Sequence, residues 1–348
     1  MRVVVVGASG NVGTSVLTSL ESEDGVTSIV GVARRMPDWR PAKTEWRTAD
    51  VYRDDLDPIF AGADAVVHLA WLFQPTHDPV TTWRSNVIGS TRVFDAAARA
   101  GVSVLVHSSS VGAYSPGPKS PPVDESWPTH GWPNAAYGRE KAYVERVLDI
   151  FERDHPEIRV VRMRPGFIFK EESATEQRRL FAGPFLPRRL MRPELLPFVP
   201  DLPRLRFQAL HSRDAGEAFR LALTRDVRGA FNLAADPVID PAVLADLLGA
   251  RRVPVPAAVV RTAVSAGWHL RLIPASPGMV EMVLQIPIMD TTRAREELGW
   301  RPRHDAVAAL RTVIEGMRGG TGMETPPLAP DSGRNRLKEV TTGTGTRP

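Results

Sequence analysis

The stretch Arg2-Val3-Val4-Val5-Val6-Gly7-Ala8-Ser9-Gly10-Asn11-Val12-Gly13 decides the fold. A short valine run ended by glycine reads as a strand buried on both faces. The three glycines fall where that strand must give way to a helix. Gly7 permits the tight turn, Gly10 the close approach of a pyrophosphate, and Gly13 close packing of helix on strand, with Ser9, Asn11 and Val12 completing the loop. The helix N-terminus then offers free N–H groups and its positive dipole end to phosphate. The stretch therefore predicts a dinucleotide site at the start of a doubly wound α/β fold.

Working outward, apolar runs and helical stretches alternate. Val3–Val6, Ser28–Ala33, Ala65–Leu69, Ser103–His107 and Arg159–Met163 read as buried parallel strands. Asn11–Glu21, Thr82–Ala100 and Ala136–Asp154 read as the helices between them, with Gly101 as a C-terminal stop. The rhythm changes at Phe167. A proline-rich stretch over 183–203 suits an irregular lobe, and Phe207–Leu223 with Ala230–Leu233 reads as a return to the core. The expected organisation is a nucleotide-binding domain of residues 1–166 and about 208–235, with a smaller discontinuous lobe of about 167–207 and 236–318. Residues 319–348, rich in Gly, Thr, Pro and charge, are expected to be a disordered tail.

The second deciding motif is Tyr137-Gly138-Arg139-Glu140-Lys141, downstream of Ser108-Ser109-Ser110. Residues four apart share a helix face, so Tyr137 and Lys141 lie together, and Val144, Leu148 and Phe151 continue that stripe into the core. Arg139, Glu140, Arg146 and Glu152 lie off it. An ammonium beside a phenol stabilises the phenolate and lowers its pKa. Lys141 is also placed to donate to a nicotinamide ribose, and Ser110 to hold a substrate oxygen. At the end of the second strand, where an acid would receive the ribose of NAD, the chain has Arg34-Arg35. Guanidinium groups match a 2′-phosphate, so NADP is favoured over NAD. Asp50-Val51 is placed to reach the adenine amino group.

Composition sets limits. The 348-residue chain has 43% hydrophobic residues, 24% charged residues and a formal charge of +4, the profile of an ordinary globular protein. It has no cysteine, which removes disulfides, thiolate metal sites and cysteine catalysis and fits a reducing cytoplasm. The start leads into the glycine turn too soon for a signal peptide, and no run approaches the roughly 18 apolar residues of a membrane span. Arginines at 178, 179, 188, 189, 192, 204 and 206 cluster. Without an aromatic-rich binding motif they read as a substrate-side or surface feature rather than a nucleic-acid site. His68, His107 and His211 lack metal-ligand spacing and read as packing residues. No metal is expected. Trp71, Trp127 and Trp132 read equally as a substrate roof or as lobe packing.

These motifs resemble an extended short-chain dehydrogenase/reductase of the NAD-dependent epimerase/dehydratase family. The likeness spans most of residues 1–317 and rests on Gly7-x-x-Gly10-x-x-Gly13, Asp50-Val51, His68-Leu69-Ala70, Asn86, Ser108-Ser109-Ser110, Tyr137-x-x-x-Lys141, Arg164-Pro165-Gly166 and Glu297-Leu298-Gly299-Trp300-Arg301-Pro302. It implies cofactor contacts at Leu69, Ala70, Trp71, Asn86, Ser108, Pro165 and Gly166, besides those named above. It also implies a catalytic set of Ser110, Tyr137 and Lys141, with Tyr114 as the aligned aromatic. The family pairs the helices at 82–100 and 136–154 in a homodimer, with Arg92, Arg99, Glu145 and Glu152 available for its rim. Two departures stand out. Val111-Gly112 replaces the Asp-Glu of sugar-nucleotide dehydratases, which speaks against water elimination. Ala113-Tyr114-Ser115 replaces Val-Tyr-Gly, which leaves Ser109 open as the working hydroxyl. Three readings are open: an NAD(P)-dependent oxidoreductase acting on a secondary alcohol or ketone, a sugar-nucleotide epimerase holding NAD tightly, and a nucleotide-binding redox sensor without turnover. In the first two the partner is a small-molecule substrate.

Overall fold

The structure is a computed structural model that describes residues 1–183 and 197–330, together with 332, 341 and 344. The nucleotide half runs β1 (Arg2–Val6), α1 (Asn11–Glu21), β2 (Ser28–Ala33), β3 (Thr44–Thr48), α2 (Asp57–Phe60), β4 (Ala65–His68), α3 (Pro79–Trp83), α4 (Gly89–Arg99), β5 (Val104–Ser108), α5 (Ala136–Asp154) and β6 (Arg159–Pro165). There follow β7 (Phe167–Phe169), α6 (Ala174–Gln177), β8 (Phe198–Asp201), β9 (Phe207–His211), α7 (Ser212–Thr224), β10 (Gly229–Leu233) and β11 (Ala235–Ile239). The last elements are α8 (Pro241–Leu248), β12 (Arg251–Pro254), α9 (Ala257–His269), α10 (Pro277–Gln285), α11 (Thr292–Glu296) and α12 (Ala306–Gly319).

Seven parallel strands form the central sheet in the order β10-β6-β5-β4-β1-β2-β3. The valines of β1 explain why it lies inside that sheet. Val3 and Val5 enter the core layer under α1 and α7, while Val4 and Val6 enter the layer under α4 and α5, the period-two alternation of a strand covered on both faces. Burying each such side chain contributes about 1.5–3 kcal/mol. From β1 the chain goes to β2 on one side and later to β4 on the other, so a crevice opens at the carboxyl ends of β1 and β4. A three-stranded sheet, β11-β9-β7, and the parallel pair β12-β8 lie outside the central one.

The five buried strands and α5 occupy the stretches that the sequence predicts. The edge strand β3 was not legible, because in Thr44-Glu45-Trp46-Arg47-Thr48 only Trp46 is buried. The expected helix over 82–100 starts earlier, at Pro79, and opens into a wide π-helical turn over Arg84–Ile88 that carries Asn86. Such turns favour functional positions.

Four charges expected at a dimer rim are engaged inside the chain. Arg92 donates to the carbonyls of Val51 and Asp54, Arg99 pairs with Asp57, and Glu152 pairs with Arg162. Glu145 is fully buried between Arg162 and Arg164. Glu140, expected off the core stripe, is also buried and accepts hydrogen bonds from Thr82 and Asn86. Helix periodicity sorts apolar from polar positions, and it is blind to polar groups that a neighbouring element buries by pairing.

The disordered tail expected from 319 requires correction over residues 320–330. The carbonyl of Glu324 accepts hydrogen bonds from the N–H groups of Asp38 and Trp39, at 3.1 and 3.0 Å. Leu328 is fully buried, and its carbonyl accepts from Met323 N–H at 2.7 Å. Prolines 326 and 327 reduce the entropy lost on ordering, so composition alone misleads here. Except for 332, 341 and 344, the remainder of that tail lies outside the described residues, as do Arg188, Arg189, Arg192 and the prolines within 184–196.

Candidate active site

The glycine loop is built as its sequence dictates. Gly7 has φ 85°, and a Cβ there would meet the Ala70 backbone nitrogen at 2.6 Å. A Cβ on Gly13 would fall 2.3 Å from the Gly7 carbonyl oxygen. Gly10 is different: the nearest atom to a Cβ there is 3.6 Å away, so its missing side chain relieves no crowding within the protein. It keeps a space open at the N-terminus of α1. The buried Oδ1 of Asn11 has no partner, while its Nδ2 donates to the Ile168 carbonyl at 3.0 Å. An open cradle at a helix N-terminus fits a pyrophosphate, and the unpaired Asn11 oxygen fits a hydroxyl donor such as a ribose supplies.

Two clefts meet at this loop and share Gly7, Gly10, Leu69, Trp71, Phe73, Glu176 and Leu180. One, of about 200 Å³, is lined by Ser9, Arg34, Arg35, Asp50, Val51, Ala70 and Asn86 among others. The other, of about 420 Å³, is lined by Asn11, Val12, Gly13, Ser108, Ser109, Ser110, Tyr137, Lys141, Pro165 and Gly166 among others. Every residue expected from the sequence to bind cofactor or act in catalysis thus borders this continuous crevice.

Asn86 organises the junction. Its side chain accepts from Leu72 N–H at 2.7 Å and donates to the Leu72 carbonyl at 2.8 Å, pinning the 69–74 loop. Arg34 and Arg35 stand at the outer end of the first cleft, where Arg179 joins them. Partial burial and then the Arg179 charge lower the Arg35 pKa. Pro326 and Pro327 close that cleft from the C-terminal segment, and Arg179 donates to the Pro327 carbonyl at 3.3 Å.

At the other end, Tyr137 is the second residue of α5 and stacks on Phe73 with ring centroids 5.1 Å apart. Gly112 is what allows this placement, since a Cβ there would lie 2.6 Å from the tyrosine ring. Burial pushes the Tyr137 phenol up to about 12, opposed by a hydrogen bond with Ser110. The lysine effect expected from sequence therefore does not prevail in this arrangement. Lys141 Nζ donates to the Ser108 carbonyl at 2.7 Å and lies 3.4 Å from the Trp71 ring centroid, against 5.9 Å from that of Tyr137. Burial brings the lysine down to about 7.

The three serines separate clearly. Ser110 Oγ accepts from Gly112 N–H at 3.0 Å and keeps its hydrogen for a partner in the cavity. Ser109 donates to Glu145 at 2.6 Å and is committed to the interior. Tyr114 is likewise structural, donating to Asn232 at 2.7 Å while accepting from Arg164 at 3.0 Å. Trp127 and Trp132 pack on an apolar cluster with Val111 and Met282, whereas Trp71 lines both clefts. His68 and His107 are buried side by side and held neutral by that burial, His68 at about 3. No metal-binding cluster of His, Cys, Asp and Glu occurs among the described residues, and none of the described helices is long and apolar enough to cross a membrane.

Comparison with known proteins bears on the fold and the family. An uncharacterized protein of Mycobacterium tuberculosis is 26% identical over 327 residues, covering 93% of this chain and 31% of its own length. The 4-hydroxy-2-methyl-3-oxo-4-farnesyl-3,4-dihydroquinoline-1-oxide ketoreductase of Stigmatella aurantiaca is 30% identical over 172 residues, covering 49% of this chain and 51% of its own. This chain therefore spans only about a third to a half of these relatives. The structure of UDP-glucose 4-epimerase with UDP-glucose from Thermotoga maritima superposes with a TM-score of 0.68 at 19% identity, over 92% of this chain and 99% of that one, a likeness of fold. The family model described as NAD dependent epimerase/dehydratase matches residues 3–234, and the chain belongs to that family.

Proposed function

We propose that this chain is an NAD(P)-dependent oxidoreductase acting on a secondary alcohol or ketone. The observation that carries this reading is the meeting of Ser110, Tyr137 and Lys141 in one cavity continuous with the Gly7–Gly13 loop. A nicotinamide bound along that loop supplies or accepts the hydride. Ser110 then orients the substrate oxygen, and Tyr137 Oη gives it a proton in reduction or takes one in oxidation. Lys141, fixed by the Ser108 carbonyl, would donate to the nicotinamide ribose. The test is oxidation of NADPH by added ketones, together with mass spectrometry of any nucleotide released on denaturation. Tightly retained NAD(H) with no net ketone reduction would instead indicate an epimerase.

Arg34 and Arg35, with Arg179 nearby, support a preference for NADP(H). Replacing Arg34 and Arg35 by alanine should remove most of that preference while sparing NAD(H) binding. Equal affinities for the two cofactors in the unaltered protein, measured by calorimetry, would exclude it.

We also infer a homodimer formed through α4, α5 and the π-helical turn between α3 and α4. The support is apolar exposure on the π-helical turn and α5: Ile88, Tyr143 and Ile150 are 39%, 48% and 53% exposed.

A further inference from the structure

The cavity that contains Tyr137 is walled largely by carbon. Lining it with the phenol are Phe73, Phe181, Met279, Met282, Val283 and Ile286. The last four recur at the three- and four-residue spacing of one helical face, so α10 and the residue that ends it present a continuous apolar stripe to the site. Among the described residues lining this cavity, Lys141 is the only cation and Glu176 the only carboxylic acid. Lys141 is tied to the Ser108 carbonyl. Glu176 also borders the nucleotide cleft, and burial raises its pKa. Arg179 lines the neighbouring nucleotide cleft, and three other nearby basic side chains face elsewhere. Lys119 donates to the carbonyls of Arg206 and Val283, Arg204 to those of Leu284 and Gly117, and Arg206 to that of Lys119; none of the three lines the cavity.

A sugar nucleotide would bring a diphosphate, a base and several hydroxyls against this wall. Charges stripped of water without a counter-charge or hydrogen-bond donors are strongly disfavoured. A hydrocarbon chain or ring loses nothing there and gains the burial of its surface.

We propose that the substrate of this site is an uncharged, apolar ketone or secondary alcohol. Its hydrocarbon part lies along the α10 stripe, and its oxygen meets Ser110 and Tyr137. The oxygen end rests on the hydride-transfer reading; the apolar wall stands apart from it. In reduction, the carbonyl carbon gains a hydride from the dihydronicotinamide and the oxygen gains the Tyr137 proton. The ketone is reduced and the nicotinamide oxidised.

The test uses the full chain saturated with NADPH and unbranched methyl ketones from butanone to dodecanone. Binding is read from nicotinamide fluorescence and turnover from nicotinamide absorbance. Affinity should tighten roughly fourfold per added methylene until the cavity is filled, and UDP-glucose should not compete. Val283→Glu should flatten the series, and the milder Met279→Gln should weaken its long-chain end if the first variant folds poorly. An affinity independent of chain length, or UDP-glucose binding tighter than dodecanone, would overturn the proposal. Chain-length-dependent binding without hydride transfer at any length would support the apolar substrate class while removing the proposed reaction, so the two failures are distinguishable.

Discussion

Tyr137 has a phenol whose pKa burial moves away from neutrality, and the effect on rate depends on the direction of catalysis. A phenol at about 12 remains protonated through the neutral range, so its own titration should leave ketone reduction flat with pH there. Alcohol oxidation needs the phenolate and should climb as pH rises toward that value. Rate profiles measured in both directions would check the sign. Tyr137→Phe keeps the stacking on Phe73 and deletes only the hydroxyl, so cofactor affinity should hold while turnover falls about 10²–10⁴-fold. Ser110→Ala should also lower turnover. Ser109→Ala should instead leave Glu145 short of a donor and cost stability, about 1–3 kcal/mol, visible in urea denaturation but not in kcat. Ser110 and Tyr137 were legible because local spacing defines them. The choice between Ser109 and Ser110 was not, since it depends on a carboxylate delivered by α5.

At the scale of elements, α5 does two jobs that its amphipathic pattern does not separate. Its first turns present Tyr137 and Lys141 to the cavity, and a turn later Glu145 ties the helix to β6. Arg164 binds that carboxylate with two nitrogens, Nε to Oε1 at 2.9 Å and Nη2 to Oε2 at 3.0 Å, and Arg162 adds a contact at 3.0 Å. Burial opposes the charge, but the arginines and Ser109 outweigh it and hold the carboxyl at about 2 against its usual 4.5. Its folded pKa is therefore depressed, so its contribution is intact above pH 4.5 and is lost as pH falls toward 2. Glu145→Gln should cost about 3–5 kcal/mol at neutral pH by leaving the buried Arg164 guanidinium without its anion, while Arg162 keeps Asp149 and Glu152. It should also remove that part of the acid dependence; a variant as stable as the parent in urea would contradict this reading. The strands and α5 could be read in advance because each buries its own periodic face. The α10 stripe, Phe73 and residues 322–328 could not, because tertiary packing alone shows what they face.

For the whole molecule, the crevice and the inferred dimer face occupy different parts of α5, so association and chemistry can be perturbed separately. Ile150→Asp should give a monomer by light scattering at micromolar concentration with cofactor affinity retained, and an unchanged mass would count against the dimer. The segment around Leu328 should matter for the cofactor instead. Leu328→Asp should release Pro326 and Pro327 from the cleft rim and weaken cofactor binding about tenfold, or 1.4 kcal/mol, in a fluorescence titration. That closure has a consequence in biosynthesis. The prolines that cover the neighbouring cleft leave the ribosome about 300 residues after the phosphate loop, roughly 15–60 s later at ordinary elongation rates. A growing chain can form its nucleotide loop long before it can enclose what that loop holds, so retention of the cofactor waits on the synthesis of a segment about 300 residues downstream.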